Sequence, residues 1–220
     1  MAAVPVPLLF ALDGMADALP GPDPSLEFCE LSPEIIDDAA IAAITDLYRE
    51  ILPAGGAILD VLSSWISHLP PEIDYRRVVG IGADACALSE NPFLDEWRVQ
   101  DLNANPKLPF ADGEFDGATI CVAVQHLTRP GELIREIARV LRPGAPLVVT
   151  FSQRCEAARA VACWCLLDDA AQLCLVAQHF ADNGNWSDIR CLDRTPAGGG
   201  SPLYAVIGTT LTSRPQSDGD

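Results

Sequence analysis

A cluster of polar side chains follows the apolar segment that begins at Ala57. Asp60 lies within that segment, and Ser63, Ser64 and His68 come shortly after it. Their hydroxyl and imidazole groups can bind a carboxylate or cap a helix. The segment from residue 62 to residue 68 is therefore a candidate ligand-binding loop.

Three further polar positions come after apolar segments. Asp84 follows VVGIG, Asp101 follows WRVQ, and Gln125 and His126 follow ATICVAV. A histidine can take a proton from an oxygen or nitrogen nucleophile near neutral pH. A structural role is open for each of them as well: Asp84 can cap a helix, Asp101 can cap a turn, and His126 can be a packed residue.

Alternating strands and helices must position these residues. Ligands of open α/β sheets bind outside the carboxyl ends of the strands, so we expect the polar positions to face one site. The apolar patterns predict five strands over 57–62, 77–81, 97–102, 115–124 and 145–151, then a closing pair over 186–194 and 202–210. They predict helices from Ser32 as N-cap with Pro33 in the first turn, after residue 62, after Asp84, over 129–141, and as one long helix within 154–181.

The central third of the chain contains three distinctive sequence segments. LPFADGEFDG, then VAVQHL, then REIARVLRPGAPLVV resembles the middle of the class I S-adenosylmethionine-dependent methyltransferases, in particular the small type 11 branch. The resemblance implies a three-layer αβα Rossmann-like fold with a mostly parallel seven-stranded sheet and an antiparallel last strand. It covers about residues 35–209, within a predicted domain over 32–210. Residues 1–31 are predicted to form an extension and 211–220 a flexible tail.

The first loop departs from that family. Class I methyltransferases typically follow the first strand with an acidic residue and three glycines, and here Leu62, Ser64 and Ile66 stand at the glycine positions. Leucine and isoleucine bring bulk, and neither adopts a positive φ at low cost. The family's acid at the end of the second strand is also replaced, by Gly82. Two interpretations stay open: a modified pocket, or a pocket filled by Trp65 and Ile66.

The resemblance assigns roles to the polar positions. S-adenosylmethionine is the expected cofactor, with no metal, and an acceptor would meet the end of the fourth strand. The implied cofactor contacts are Asp60, Ser63 and Ser64 at the methionine end, Asp84 near the ribose, and Asp101 with Leu102 at the adenine; the implied catalytic positions are His126 and Gln125.

The charge and the composition of the chain indicate which classes of partner are unfavourable. The net charge is −17, Lys107 is the one lysine, and no basic cluster occurs, which disfavours nucleic acid as a partner. No apolar run is long enough to span a membrane, and we expect a cytoplasmic protein. The eight cysteines contain no CxxC pair and are expected to be mostly buried thiols.

Two hypotheses of different class follow. The first is methyl transfer from S-adenosylmethionine to an unidentified small molecule. The second is a catalytically inactive, methyltransferase-like binding or regulatory module, which the lost glycines favour. An open cavity that reaches Asp101 would favour a cofactor, and a cavity occupied by Trp65 or Ile66 would favour the binding module.

Overall fold

Seven strands form one mixed sheet in the computed structural model, which describes residues 36–152 and 160–212. The strand order is β3-β2-β1-β4-β5-β7-β6, and β7 runs antiparallel to both of its neighbours while the pairs from β3 to β5 are parallel. This confirms the predicted fold class. The strands are β1 (Ala57–Val61), β2 (Arg77–Gly82), β3 (Glu96–Val99), β4 (Gly117–Cys121), β5 (Pro146–Phe151), β6 (Trp186–Asp193) and β7 (Tyr204–Thr210).

Helices cover both faces of the sheet. The central strands are buried on both sides, and their side chains alternate between two apolar clusters. Leu59 and Val149 pack in the cluster that contains the apolar sides of α3 and α5, whereas Ile58 and Val148 pack with α1. The helices are α1 (Asp38–Ile51), α2 (Ala85–Glu90), α3 (Pro130–Val140), α4 (Ala162–Cys165) and α5 (Asp169–Asp182), with a 3₁₀ turn at Val124–His126.

Helix α1 is held at both of its ends by the connection between β6 and β7. Asp37 is its N-cap, and one carboxylate oxygen accepts hydrogen bonds from the backbone N–H and the hydroxyl of Ser201. Near the other end of the helix, Glu50 forms an ion pair with Arg194. The predicted cap residues, Ser32 and Pro33, lie outside the described part of the chain. The anchoring matters for function because the start of α1 borders the candidate site.

Several predicted elements are shorter in the structure. The strand predicted over 115–124 ends at Cys121, because Val122 has a left-handed backbone conformation. The strand predicted over 97–102 is β3, which ends at Val99, where its pairing with β2 ends. The single helix predicted within 154–181 is wrong over its described part: α4 and α5 are separate, and Asp168 caps α5 by accepting a hydrogen bond from Ala171 N–H.

Six of the eight cysteines lie in the described part of the chain. The prediction of mostly buried thiols is wrong for the six cysteines there, of which three are exposed and three are half-buried. Within residues 36–152 and 160–212, no helix is long and apolar enough to cross a membrane. In the same ranges, no group of three or more His, Cys, Asp or Glu side chains is placed to hold a metal ion.

Candidate functional site

A cavity of about 520 Å³ opens at the carboxyl ends of β1, β2 and β4. In the strand order, β2 lies on one side of β1 and β4 lies on the other. The cavity is therefore at the topological switch point, where the strand order reverses. None of the described lining residues is lysine or arginine. The lining comprises Ile36, Ile41, Asp60, Leu62, Ser63, Ser64, Trp65, Ile66, His68, Gly82, Ala83, Asp84, Cys121, Val122, Ala123 and His126.

Asp60 is the centre of a buried hydrogen-bond network beneath the cavity. One carboxylate oxygen accepts from the hydroxyls of Ser63 (2.6 Å) and Ser67 (2.7 Å), and the other accepts from Thr119 (2.9 Å). The side chain is 2% exposed, and burial raises the pKa of its carboxyl despite these three hydrogen bonds. Because its oxygens accept hydrogen bonds from Ser63 and Ser67, Asp60 fixes the first loop on the side that faces the protein interior.

Asn91 completes this network from the end of α2. Its amide nitrogen donates to the Ser64 carbonyl (2.7 Å) and to the Ser67 hydroxyl (3.0 Å). The first loop (residues 62–68) is thus held by side chains and contains no helix, so the short helix predicted there is wrong. Asn91 was not identified from the sequence, since it is a single asparagine more than twenty residues away with no motif around it.

Three non-glycine residues with left-handed backbones surround the cavity. Leu62 (φ 59°) and His68 (φ 52°) bound the first loop, and Val122 (φ 47°) follows β4. Leu62 keeps a positive φ at the position where the family has its first glycine. Such conformations are unfavourable for leucine and more so for β-branched valine, and strained residues concentrate at functional sites. The loop therefore has a specific conformation that the protein maintains at a cost.

Gly82 is required by the path of the first loop. A methyl group at position 82 would lie 2.4 Å from the Ser63 carbonyl oxygen, and the Ser63 N–H donates to the Ile81 carbonyl (2.9 Å). The loop therefore passes directly over the end of β2. This contact explains why the family's acid is missing there: any side chain at position 82 would collide with the backbone of Ser63.

Asp84 caps α2 and also lies on the cavity wall, and the ribose contact implied for it stays a prediction. One carboxylate oxygen caps α2 by accepting from the backbone N–H groups of Cys86 (2.8 Å) and Ala87 (3.1 Å). The other oxygen is buried and has no hydrogen-bond partner among the described residues. Asp84 also lines the cavity. A buried carboxylate oxygen without a donor is unfavourable, and a ligand donor would satisfy it.

Asp101 and Leu102 do not line the cavity. The Asp101 carboxylate accepts from the backbone N–H groups of Asn103 (2.9 Å) and Ala104 (3.3 Å) and so caps its own turn. Leu102 is buried in the core. The cavity is open, and Trp65 and Ile66 lie on its wall with 39% and 48% of their surfaces exposed. The structure thus shows an open cavity that does not extend to Asp101.

Gln125 and His126 occupy the 3₁₀ turn after β4 and differ in their relation to the cavity. His126 lines it, and Gln125 is fully buried with its amide nitrogen donating to the Val122 carbonyl (2.8 Å). The same nitrogen lies 3.4 Å from His126 Nε2. Gln125 can therefore act on the site only through His126. Their catalytic roles stay predictions.

Two more ionisable groups on the wall are held neutral. Burial lowers the pKa of His68, so its imidazole is uncharged near neutral pH. Burial, with a smaller contribution from the Asp60 charge, raises the pKa of the Cys121 thiol to about 12. Among the described lining residues, the acidic side chains are Asp60 and Asp84, and His126 is the other histidine.

Comparison with known proteins gives a match to one family. Residues 74–149 match the family described as a methyltransferase domain. The chain is 46% identical over 72 residues to the ubiquinone/menaquinone biosynthesis C-methyltransferase UbiE of Roseobacter denitrificans, which covers 32% of this chain and 26% of that protein. The chain thus spans about a quarter of the length of that relative.

Solved structures share the fold at low identity. A SAM-dependent methyltransferase from Aquifex aeolicus superposes with a TM-score of 0.54 at 15% identity, covering 79% of this chain and 92% of that one. The [4+2]-cyclase SpnF superposes with a TM-score of 0.56 at 16% identity, covering 77% and 81%. At these identities the likeness shows the fold alone.

We expect the substitution Gly82→Ala to destabilise the protein, because its methyl group would displace the Ser63 backbone. The expected loss is about 1–3 kcal/mol in the free energy of unfolding, measured by urea denaturation. Gly198→Ala is the matched control, since a methyl group there meets no atom within 4 Å. Equal stability of Gly82→Ala and the wild type would contradict the close approach.

We expect Asp60→Asn to become more stable relative to the wild type as the pH rises from 4 to 7. The pKa of Asp60 is raised in the folded state, so its favourable contribution is present below its ordinary pKa and is lost as the pH rises through the raised value. Asparagine cannot ionise. Urea denaturation of both proteins at several pH values measures the difference, and a constant gap would show that burial does not dominate at this carboxyl.

Proposed function

We propose that the protein binds S-adenosylmethionine and transfers its methyl group to a small molecule. The match of residues 74–149 to a methyltransferase domain and the similarity to the methyltransferase UbiE support this proposal. S-adenosylmethionine is the cofactor that the family match supports. The candidate site is the cavity at the ends of β1, β2 and β4. Its size suits the methionine part of the cofactor together with a small acceptor.

The unpartnered carboxylate oxygen of Asp84 is the observation that carries the proposal. Asp84 lies two residues after the position of the family's acid, and the residue lines the cavity. Its unpartnered oxygen is buried. A ribose hydroxyl or an ammonium group would supply the missing donor. The absence of lysine and arginine from the described lining suits the sulfonium and ammonium groups of S-adenosylmethionine, and its carboxylate would need a neutral donor such as the Ser64 hydroxyl.

The first loop would hold the methionine end without glycines. Asp60 and Ser63 act as positioning residues, because their polar groups are bound to each other. Ser64 lines the cavity and its carbonyl accepts a hydrogen bond from Asn91, and we propose that its hydroxyl contacts the ligand. The adenine contact implied for Asp101 and Leu102 remains a prediction, and it requires the ligand to extend beyond the cavity.

His126 is the residue we assign to the acceptor side. It lines the cavity at the end of β4, where it could take the proton that an oxygen or nitrogen nucleophile loses on methylation. The sulfonium supplies the methyl group as an electrophile, so the protein's main tasks are alignment and the exclusion of water. The apolar wall of the cavity serves the second task.

A catalytically inactive binding module is the second candidate. It is favoured by the path of the first loop over Gly82 and by the Asp101 side chain, which caps its own turn. The fold alone does not decide between the two, since it also occurs in a [4+2]-cyclase.

Isothermal titration calorimetry with S-adenosylmethionine tests the proposal through Asp84→Asn. Asparagine keeps the helix cap but removes the charge, so we expect stable protein with affinity weakened about tenfold or more. Asp168→Asn is the matched control, because Asp168 caps α5 away from the cavity. We expect it to bind like the wild type, and Asp101→Ala to lose less affinity than Asp84→Asn.

Two outcomes would contradict the proposal. Equal affinities of Asp84→Asn and the wild type would remove Asp84 from the site. No binding of S-adenosylmethionine by the wild type up to millimolar concentration would favour the binding module instead.

A further inference from the structure

The first loop presents two large apolar side chains to the cavity instead of burying them. Two of its hydroxyls, those of Ser63 and Ser67, point into the protein and bind Asp60. Trp65 and Ile66 are 39% and 48% exposed and lie on the cavity wall. A loop fixed from below in this way holds both side chains in place before any ligand arrives, which lowers the entropic cost of binding.

The other walls continue the apolar surface. Ile36 and Ile41 border the cavity from the start of α1, and Val122 and Ala123 border it from the end of β4. The start of α1 is fixed by the hydrogen bonds between Asp37 and Ser201. The apolar surface therefore extends from the first loop to the end of β4, where the family's methyl acceptor lies.

The charged side chains around the cavity disfavour an anionic acceptor. Asp60 and Asp84 line the cavity, His68 is neutral, and the described lining contains no lysine or arginine. The whole chain carries a net charge of −17. A carboxylate or phosphate on the acceptor would be repelled by these carboxylates, and among the described lining residues His126 is the remaining side chain whose protonated form would attract it.

We propose that the acceptor is an uncharged, largely apolar small molecule that carries an oxygen or nitrogen nucleophile, and that Trp65 and Ile66 are the residues that select it. The proposal rests on the proposed function for the identity of the ligand as a methyl acceptor. Trp65 supplies a large flat apolar surface at low conformational cost, and Ile66 extends it. Asp84 and Ser64 remain available to the cofactor.

The experiment compares two naphthalene probes, neutral prodan and anionic anilinonaphthalene sulfonate, by fluorescence titration. The test variant is Trp65→Ser/Ile66→Ser, called the rim variant because these two side chains form the exposed rim of the cavity. Its matched control is Trp97→Ser/Val99→Ser on β3, where the exposures are 38% and 57% and neither residue lines the cavity. We expect the wild type to bind prodan more tightly than the sulfonate. The rim variant should weaken prodan binding at least about tenfold, and the control should change it less than twofold.

Calorimetry with S-adenosylmethionine on the same proteins separates this inference from the proposed function. We expect Ile41→Ser, on the cavity wall outside the first loop, to weaken prodan binding and to keep the wild-type affinity for the cofactor. If the rim variant fails to fold, Ile41→Ser on the opposite wall replaces it, with the same expected loss of prodan binding.

Three results would overturn the inference: prodan binding that is independent of Trp65 and Ile66, tighter binding of the sulfonate through these residues, or loss of S-adenosylmethionine binding in Ile41→Ser. A wild type that binds prodan through the rim but no S-adenosylmethionine would overturn the proposed function and leave an apolar ligand site.

Discussion

The site depends on one buried carboxylate. Asp60 receives three hydroxyl groups, and two of them belong to the first loop. The same serines connect the loop to Asn91, and the Ser63 backbone lies against Gly82. A buried carboxylate without these partners would be strongly unfavourable, so the loop and the end of β1 stabilise each other. Hydrogen bonds from side chains here replace the conformational freedom that glycines give the family's loop.

This arrangement changes the distribution of polar groups around the site. With the loop seated over the end of β2, position 82 has no room for a side chain, and the nearest acid is Asp84. Asp84 caps α2 with one oxygen and leaves the other without a partner in the described structure. The missing glycines and the missing acid are therefore two consequences of one loop conformation.

The fold could be predicted from the sequence because its causes are local and repeated. Buried strands read as apolar runs, the apolar side of α3 has helical spacing, and Asp84 stands at a typical cap position. The site could be predicted only in part. The close approach of Ser63 to Gly82, the contact of Asn91 and the left-handed backbones of Leu62 and Val122 arise from tertiary packing, which no spacing in the sequence reports.

The most direct test of the account is a crystal structure of the protein with S-adenosylhomocysteine. We expect the first loop to keep its hydrogen bonds to Asp60, and a hydroxyl or ammonium group of the ligand to donate to the Asp84 oxygen that has no partner among the described residues. A ligand bound through Asp101 with the first loop displaced from Gly82 would contradict it, because the loop would then block the site instead of forming it.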